Sequence, residues 1–153
     1  MPFITKQEMK TVIRQNHLDS IIDDDDTIVE MAINAGISEV KSRLTPGTTK
    51  EWFDGRPRYD VEAIFSATGA SRHPLILEIT KVVALWWLII RANAGVYYEE
   101  VRQRYDRGMN FIKDLATGEA NDATLPREQT DPAETDPDLM PFRMGSRPKF
   151  HHE

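Results

Sequence analysis

The chain has 153 residues, no cysteine and a formal net charge of −6, from 19 Lys and Arg against 25 Asp and Glu. The length suits one domain, and the lack of cysteine excludes disulfide bonds, a thiol nucleophile and a Cys-ligated zinc site. The acidic balance argues against nucleic-acid binding over the whole surface, and the N-terminus lacks the apolar segment of a secretory signal. We therefore expect a soluble protein of a reducing compartment.

A short helix is predicted near the N-terminus. Thr5 and Glu8 have the spacing of a capping box, in which each side chain accepts a hydrogen bond from the other residue's backbone amide. Apolar residues at positions 9, 12 and 13 continue the helix to about Asn16. This assignment leaves His17 in a turn.

A longer second helix is predicted from another capping box, Thr27 to Glu30. Its apolar stripe, spaced by three and four residues and broken at Pro46, consists of Val29, Ile33, Ile37, Val40 and Leu44. Asp23 to Asp26 precede the helix, where carboxylates meet the positive end of its dipole. A calcium loop is the alternative, but the run lacks the alternating oxygen ligands, central glycine and closing glutamate of an EF-hand.

Residues 45–73 form a long connection for a compact domain. We expect one or two helical turns between Tyr59 and Phe65, with Tyr59, Ile64 and Phe65 packed on the core. Trp52 and Phe53 are expected to pack in the same way or to face a neighbouring molecule.

The most apolar helix of the chain is predicted to begin at Pro74, which suits a first helical position, and to end at Ala92. Its centre, Val82 to Ile90, is apolar on every face but too short to span a membrane. Such a helix must be covered by its own bundle or by another subunit. Because complete coverage is difficult within a domain of about 118 residues, we expect oligomerisation. Trp86 and Trp87 are accordingly assigned to the core or to a subunit interface.

The last helix is predicted from about Val96 to a stop at Gly118. Its residues spaced by three and four form a narrow seam of Tyr98, Val101, Tyr105, Gly108, Ile112 and Leu115. Tyr98 and Tyr105 join the two tryptophans as core or interface residues, and Gly108 predicts the close approach of another backbone. No segment alternates as a strand does, so the predicted fold is all-α, a small bundle of about four helices with a long interhelical loop.

The composition changes near residue 118. Residues 1–118 hold 15 Lys and Arg against 17 Asp and Glu, whereas residues 119–153 hold 4 against 8 and five of the nine prolines. We therefore predict a helical domain over 1–118 and an extended C-terminal arm over 119–153. The end of the arm is basic and apolar, and we predict that this arm tip binds a partner through Leu139, Met140, Phe142, Arg143, Met144, Arg147, Lys149 and Phe150.

No catalytic motif is found. His73 directly precedes a helix, which is typical of a capping or solvent role, and the adjacent His151 and His152 lack a third fixed metal ligand. Glu99 and Glu100 are neighbours on a helix and point in different directions, so they do not form an acid–base pair. We predict a protein without cofactor or metal that is not an enzyme.

Residues in the middle of the chain carry a resemblance to a known group. The positions concerned are the segment Arg58 to Phe65, then Gly69, Arg72 and Pro74, and later Arg104-Tyr105-Asp106, Gly118 and Leu125-Pro126. Together they resemble the neck proteins of tailed phages and prophages related to the Mu-like group, which are similar in turn to head–tail connector (adaptor) proteins. The C-terminal run from Gly145 to His152 resembles a terminal signature of some of these proteins.

The resemblance implies a homo-oligomeric ring of about twelve subunits below the portal protein, with a stopper or tail-completion protein on its other side. It implies no active site. Genomic DNA would pass through the ring without sequence-specific binding, and an acidic chain suits such a channel wall. The expected location is the neck of the virion, after assembly in the host cytoplasm, with no membrane involved.

Two other classes stay open. A helical nucleic-acid-binding regulator is favoured if Arg102, Arg104, Arg107 and the basic arm tip form one exposed face. A metal-dependent enzyme would have to use the aspartate run.

Overall fold

The computed structural model describes residues 2–22, 25–45, 57–92 and 98–128. These ranges form α1 (Lys6–Met9), α2 (Gln15–Ile22), α3 (Asp26–Leu44), α4 (Val61–Ser66), a 3₁₀ turn (Gly69–Ser71), α5 (Pro74–Ala92) and α6 (Tyr98–Thr117). Within the same ranges there is no β-strand, and extended pairing is limited to an isolated bridge between Tyr59 and Arg127. The fold is all-α, which confirms the predicted fold class.

The N-terminal helix is shorter than predicted, and another helix follows it. The capping box is present, because Glu8 Oε2 accepts from the Thr5 amide at 2.9 Å and the Thr5 hydroxyl accepts from the Glu8 amide at 3.4 Å. α1 nevertheless ends at Met9, and the Thr11 hydroxyl bonds the Glu8 carbonyl at 2.7 Å, a local bond that competes with helix continuation. His17 lies in α2 rather than in a turn, so the prediction of one helix to residue 16 is wrong.

Asp25, not Thr27, caps α3. Asp25 Oδ1 accepts hydrogen bonds from the Thr27 amide at 2.9 Å and from the Thr27 hydroxyl at 2.6 Å. The hydrogen bond from the Thr27 hydroxyl, and to a lesser extent the bond from the Thr27 amide, lowers the pKa of Asp25. A carboxylate at the N-cap accepts a hydrogen bond from a free backbone amide, and its negative charge also interacts favourably with the positive end of the helix dipole. The second predicted capping box is therefore wrong, while Asp23 and Asp24 lie outside the described residues.

α5 is the central helix, packed along α3 and along α6. A Cβ on Gly36 of α3 would lie 2.8 Å from the backbone nitrogen of Ala84, so glycine is required where these two backbones meet. A Cβ on Gly108 of α6 would lie 3.1 Å from Ile79 Cγ2. The close neighbour of Gly108 is thus a side chain of α5, and the predicted backbone contact is wrong.

The connection before α5 is held where the sequence predicts. Tyr59, Ile64 and Phe65 are all buried, and α4 contains Ile64 and Phe65. These side chains fix the described part of the connection, from residue 57 onward, to the bundle core. Trp52 and Phe53 lie outside the described residues.

Residues 119–128 pack on the helical body, although the predicted arm begins at residue 119. The Asp60 amide donates to the Pro126 carbonyl at 3.0 Å, and the Glu128 amide donates to the Arg58 carbonyl at 3.1 Å. Leu125 is 3 % exposed. The chain therefore remains part of the packed body for several residues beyond the predicted boundary.

α6 stops where the sequence predicts. Gly118 follows it with a φ of +83°, a left-handed conformation that glycine adopts without strain. The arm tip, Leu139 to Phe150, lies outside the described residues.

Candidate interaction surface

Aromatic side chains of α5 and α6 cluster near the C-terminal end of α5. The Trp86 ring stacks on the Tyr105 ring, with centroids 5.2 Å apart and planes at 26°. It also contacts the Tyr98 ring, again at 5.2 Å and with 46° between the planes. Aromatic pairs prefer such offset and tilted arrangements to a face-to-face sandwich. The structure thus brings together three of the four aromatic residues that the sequence predicts as core or interface.

Glu39 of α3 connects the fourth aromatic residue to this cluster. Its Oε2 accepts from Trp87 Nε1 at 2.8 Å, and its Oε1 accepts from the Tyr105 hydroxyl at 2.6 Å. Burial, and then the hydrogen bond to Glu39, raise the pKa of Tyr105 to about 12. The tyrosine therefore stays a neutral donor at physiological pH, and one carboxylate fixes side chains of both α5 and α6.

Glu39 is the member of this site that the sequence analysis did not identify. It lies on α3, and its two partners follow 48 and 66 residues later in the chain. Local spacing cannot reveal a contact of that kind. In the sequence, Glu39 is marked only by its position directly before Val40 of the apolar stripe. The structure shows that its side chain is half-buried.

Part of the cluster faces solvent. Trp87 and Tyr98 are each 42 % exposed, and Ile90 and Met31 beside them are 47 % and 52 % exposed. Arg91 Nη1 lies 3.4 Å from Met31 Sδ, which places the α3 methionine next to the end of α5. We refer to the following six residues as the aromatic surface: Met31, Trp86, Trp87, Ile90, Tyr98 and Tyr105.

The chemistry of the aromatic surface suits binding rather than catalysis. It presents large apolar groups, and its hydrogen-bonding atoms on Trp87 and Tyr105 are already paired with Glu39. Exposed apolar patches of this kind mark interaction sites, and Trp and Tyr are enriched among the residues that dominate binding energy.

The arginines of α6 do not form one face. At 3.6 residues per turn, Arg104 and Arg107 lie on neighbouring sides of the helix, whereas Arg102 points away from both. Arg102 Nε instead lies 3.9 Å from Asp106 Oδ2. The arrangement that would favour a nucleic-acid-binding regulator is therefore missing from this helix, and the basic arm tip lies outside the described residues.

His73 has the capping role that the sequence predicts. Its Nδ1 lies 3.4 Å from the Ile76 amide at the start of α5. Its Nε2 lies 2.9 Å from the Thr124 hydroxyl and 3.1 Å from Asp122 Oδ2. Hydrogen bonds from Thr124, and more weakly the charge of His73, lower the pKa of Asp122. The histidine therefore fastens residues 119–128 to the N-terminal end of α5.

Within the described ranges, no three His, Cys, Asp or Glu side chains are placed to hold a metal ion. Asp23, Asp24, His151 and His152 lie outside those ranges. The helices that the structure describes include none with the length and hydropathy required to cross a membrane.

Comparison of the chain with protein-family models, with curated proteins and with solved structures finds no match. What the protein does is therefore inferred from its own residues and their arrangement.

Proposed function

We propose that the protein is a non-enzymatic structural subunit of the neck of a tailed phage or prophage. In this proposal it is a head–tail connector (adaptor) that forms a ring between the portal protein and the tail. The observation that carries the proposal is the aromatic surface, which is exposed while Glu39 holds Trp87 and Tyr105 in place. Side chains already fixed in the free subunit lose little rotamer freedom on binding, so such a surface favours assembly.

A ring requires a repeated contact between two different surfaces of the subunit, so that each copy binds the next one head to tail. The aromatic surface supplies one of these two surfaces. The resemblance to connector proteins implies that about twelve copies close the ring. The resemblance itself rests on the positions quoted from Arg58 to Pro126.

The arm tip is assigned a separate contact. Its aromatic and aliphatic side chains can fill pockets on a partner, and Arg143, Arg147 and Lys149 can pair with acidic groups there. The proposed partner is the portal protein or an adjacent subunit, with a stopper or tail-completion protein on the opposite side of the ring.

The net charge of −6 supports a channel role. DNA is held by clustered Lys and Arg, and an acidic wall lets it slide through without sequence-specific binding. The proposed location is the virion neck, reached after assembly in the host cytoplasm.

The proposal is tested by measuring the mass of the purified protein by light scattering, alone and mixed with the portal protein of the same phage or prophage. We expect a ring, either in solution or on the portal. Ile90→Glu places a charge on the aromatic surface and should abolish the ring. The matched control is Leu75→Glu on the same helix, because Leu75 is 41 % exposed and lies outside the aromatic surface.

A wild-type chain that stays monomeric under both conditions contradicts the proposal, and so does an Ile90→Glu variant that assembles normally. Deletion of residues 139–153 tests the arm tip separately. The truncated chain should keep its helical fold but no longer attach to heads. If it still joins heads to tails at the normal rate, the arm tip has no anchoring role.

A further inference from the structure

A groove runs between α5 and α6 on the side of α6 that carries Arg104 and Arg107. Its volume is about 430 Å³, and it has an apolar floor with two arginines at the rim: Leu75, Ile79, Val82, Phe111, Arg104 and Arg107. Gly108 also lines this groove. Because it has no side chain, the Ile79 side chain packs directly against the α6 backbone there. None of these residues belongs to the aromatic surface.

The groove continues along α5. A second cavity of about 240 Å³ shares Arg104 and is lined by Leu85, Ile89 and Val101, with a wall from the segment around Ile13. Leu75 and Ile89 are separated by about 21 Å along the helix, at 1.5 Å per residue. The two cavities meet at Arg104 and are both lined by α5, and we refer to them together as the α5–α6 groove.

The rim of the α5–α6 groove is positively charged. Among the described residues, Arg104 and Arg107 have no ion-pair partner, and both are exposed. The carboxylates that face the groove are Glu78, which pairs with Lys81 at 2.6 Å, and Glu100 in the second cavity. The unpaired guanidinium groups favour an occupant that carries negative charge next to apolar side chains.

The chain itself continues with such a segment from the same end of the body. His73 binds Thr124, which places Thr124 beside the start of α5 and close in the chain to Leu75 of the groove, and four residues later the Glu128 amide binds the Arg58 carbonyl. Residues 129–142 then carry four carboxylates and no Lys or Arg, followed by three large apolar side chains: Asp131, Glu134, Asp136, Asp138, Leu139, Met140 and Phe142. Prolines at 132, 137 and 141 favour an extended chain.

We propose that residues 131–142 of the chain dock into its own α5–α6 groove. The carboxylates pair with Arg107 and Arg104, and in the isolated chain the apolar residues 139–142 reach the second cavity beside Val101, which they leave when the arm tip binds a partner. Twelve residues in an extended conformation span about 37 Å, more than the groove requires. The segment starts three residues after Glu128, so its local concentration at its own groove exceeds that of any free copy. The inference does not depend on the phage-neck proposal.

The absence of native cysteine allows a direct test on the full-length protein. Leu75→Cys with Ala133→Cys should form an intramolecular cross-link with a short bismaleimide. The matched control is Met31→Cys with Ala133→Cys, because Met31 is 52 % exposed but lies on α3, away from the groove. We expect the first pair to cross-link at least about fivefold faster than the second, as two exposed ion pairs and their apolar contacts predict.

Charge variants test the recognition. Arg104→Glu with Arg107→Glu should slow cross-linking of the Leu75 pair by roughly fivefold, and so should Asp136→Lys with Asp138→Lys, which leaves the helical body unaltered. Arg102→Glu on the same helix should have no effect. Circular dichroism checks that each variant folds.

The proposal is overturned if the two cysteine pairs react equally or if neither charge pair slows the reaction. It is also overturned if a mixture of the two single-cysteine chains gives mainly linked dimers, since the occupant would then be a second copy. These outcomes concern the isolated chain, so they are distinguishable from failure to form a ring.

Discussion

Replacement of Glu8 by Gln removes an ion pair that fastens the N-terminal segment to the connection before α5. Glu8 Oε1 accepts from Arg72 Nη2 at 2.5 Å, and Oε2 accepts from Nη1 at 3.1 Å. Arg72 Nη1 also donates to the Phe3 carbonyl at 2.7 Å. The bond from Arg72 first, and bonds from Thr5, lower the pKa of Glu8 from its ordinary 4.5 to about 2 despite the opposing effect of burial.

The size of the effect follows from this pKa. A carboxyl whose pKa is lower in the folded chain stabilises the fold above its unfolded-state value, and this stability is lost as the pH falls toward the folded-state value. The shift sets a ceiling of about 3 kcal/mol. Because the Glu8 side chain is 27 % exposed and that of Arg72 13 %, solvent screens the pair. We therefore expect Glu8→Gln to cost about 1–2 kcal/mol at neutral pH.

The assay is urea unfolding followed by tryptophan fluorescence, on wild type and Glu8→Gln, from neutral pH to acid. The difference in stability should be constant at neutral pH and should disappear between about pH 5 and pH 2. Glutamine at this position keeps the capping box with Thr5 through its one amide oxygen, but its NH2 group cannot accept from Arg72 Nη2, so the variant removes the charge and that hydrogen bond together. The control is Glu62→Gln, whose pair with Lys41 is 3.1 Å long but whose side chain is 85 % exposed, and it should change stability little. Equal stability of wild type and Glu8→Gln at every pH would refute this reasoning.

Two further predictions use the same unfolding assay, and a third uses thermal melting. Tyr105→Phe removes the hydroxyl that binds Glu39 and should cost about 1–2 kcal/mol, and a variant as stable as wild type would contradict this. Gly36→Ala forces a Cβ against the α5 backbone and should cost about 1–3 kcal/mol, whereas Gly108→Ala meets only a side chain that can shift and should cost less. If both cost the same, the contact distances do not govern the effect. Asp25→Ala removes the cap of α3 and should lower the melting temperature equally with calcium and with a chelator, and a calcium-dependent difference would show that the aspartate run binds metal.

The helices α3, α4, α5 and α6 could be predicted because their signals are local. The start of α5 follows from Pro74, the end of α6 from Gly118, and the stripe from Val29 to Leu44 repeats every three or four residues. The burial of Tyr59 and Phe65 follows in the same way, because large apolar side chains inside a polar connection must be covered.

α2 and the packing of residues 119–128 could not be predicted in this way. α2 buries only Leu18 and Ile22 among polar residues, and one pair of apolar positions is too little for a periodic signal. Residues 119–128 are held mainly by backbone bonds and by His73, and neither depends on a side-chain pattern. The acidic, proline-rich composition of the C-terminal region therefore predicts an extended arm from residue 119, although Leu125 is buried on the helical body.

The two exposed apolar regions beside α6 call for different occupants. Of the five large apolar side chains that are exposed in the described ranges, four belong to the aromatic surface, and Leu75 alone belongs to the α5–α6 groove. The groove has unpaired arginines and begins at the end of α5 that Thr124 contacts through His73, so the acidic segment that follows in the same chain can cover it. On the aromatic surface, the polar atoms of Trp87 and Tyr105 are already paired with Glu39, and the exposed side chains are mainly apolar, so it offers an incoming surface apolar contact rather than charge. Docking of the arm would then cover Leu75 and leave the aromatic surface as the main exposed apolar area among the described residues. Charge reversal at Arg104 and Arg107 should therefore free the arm without weakening assembly through Ile90.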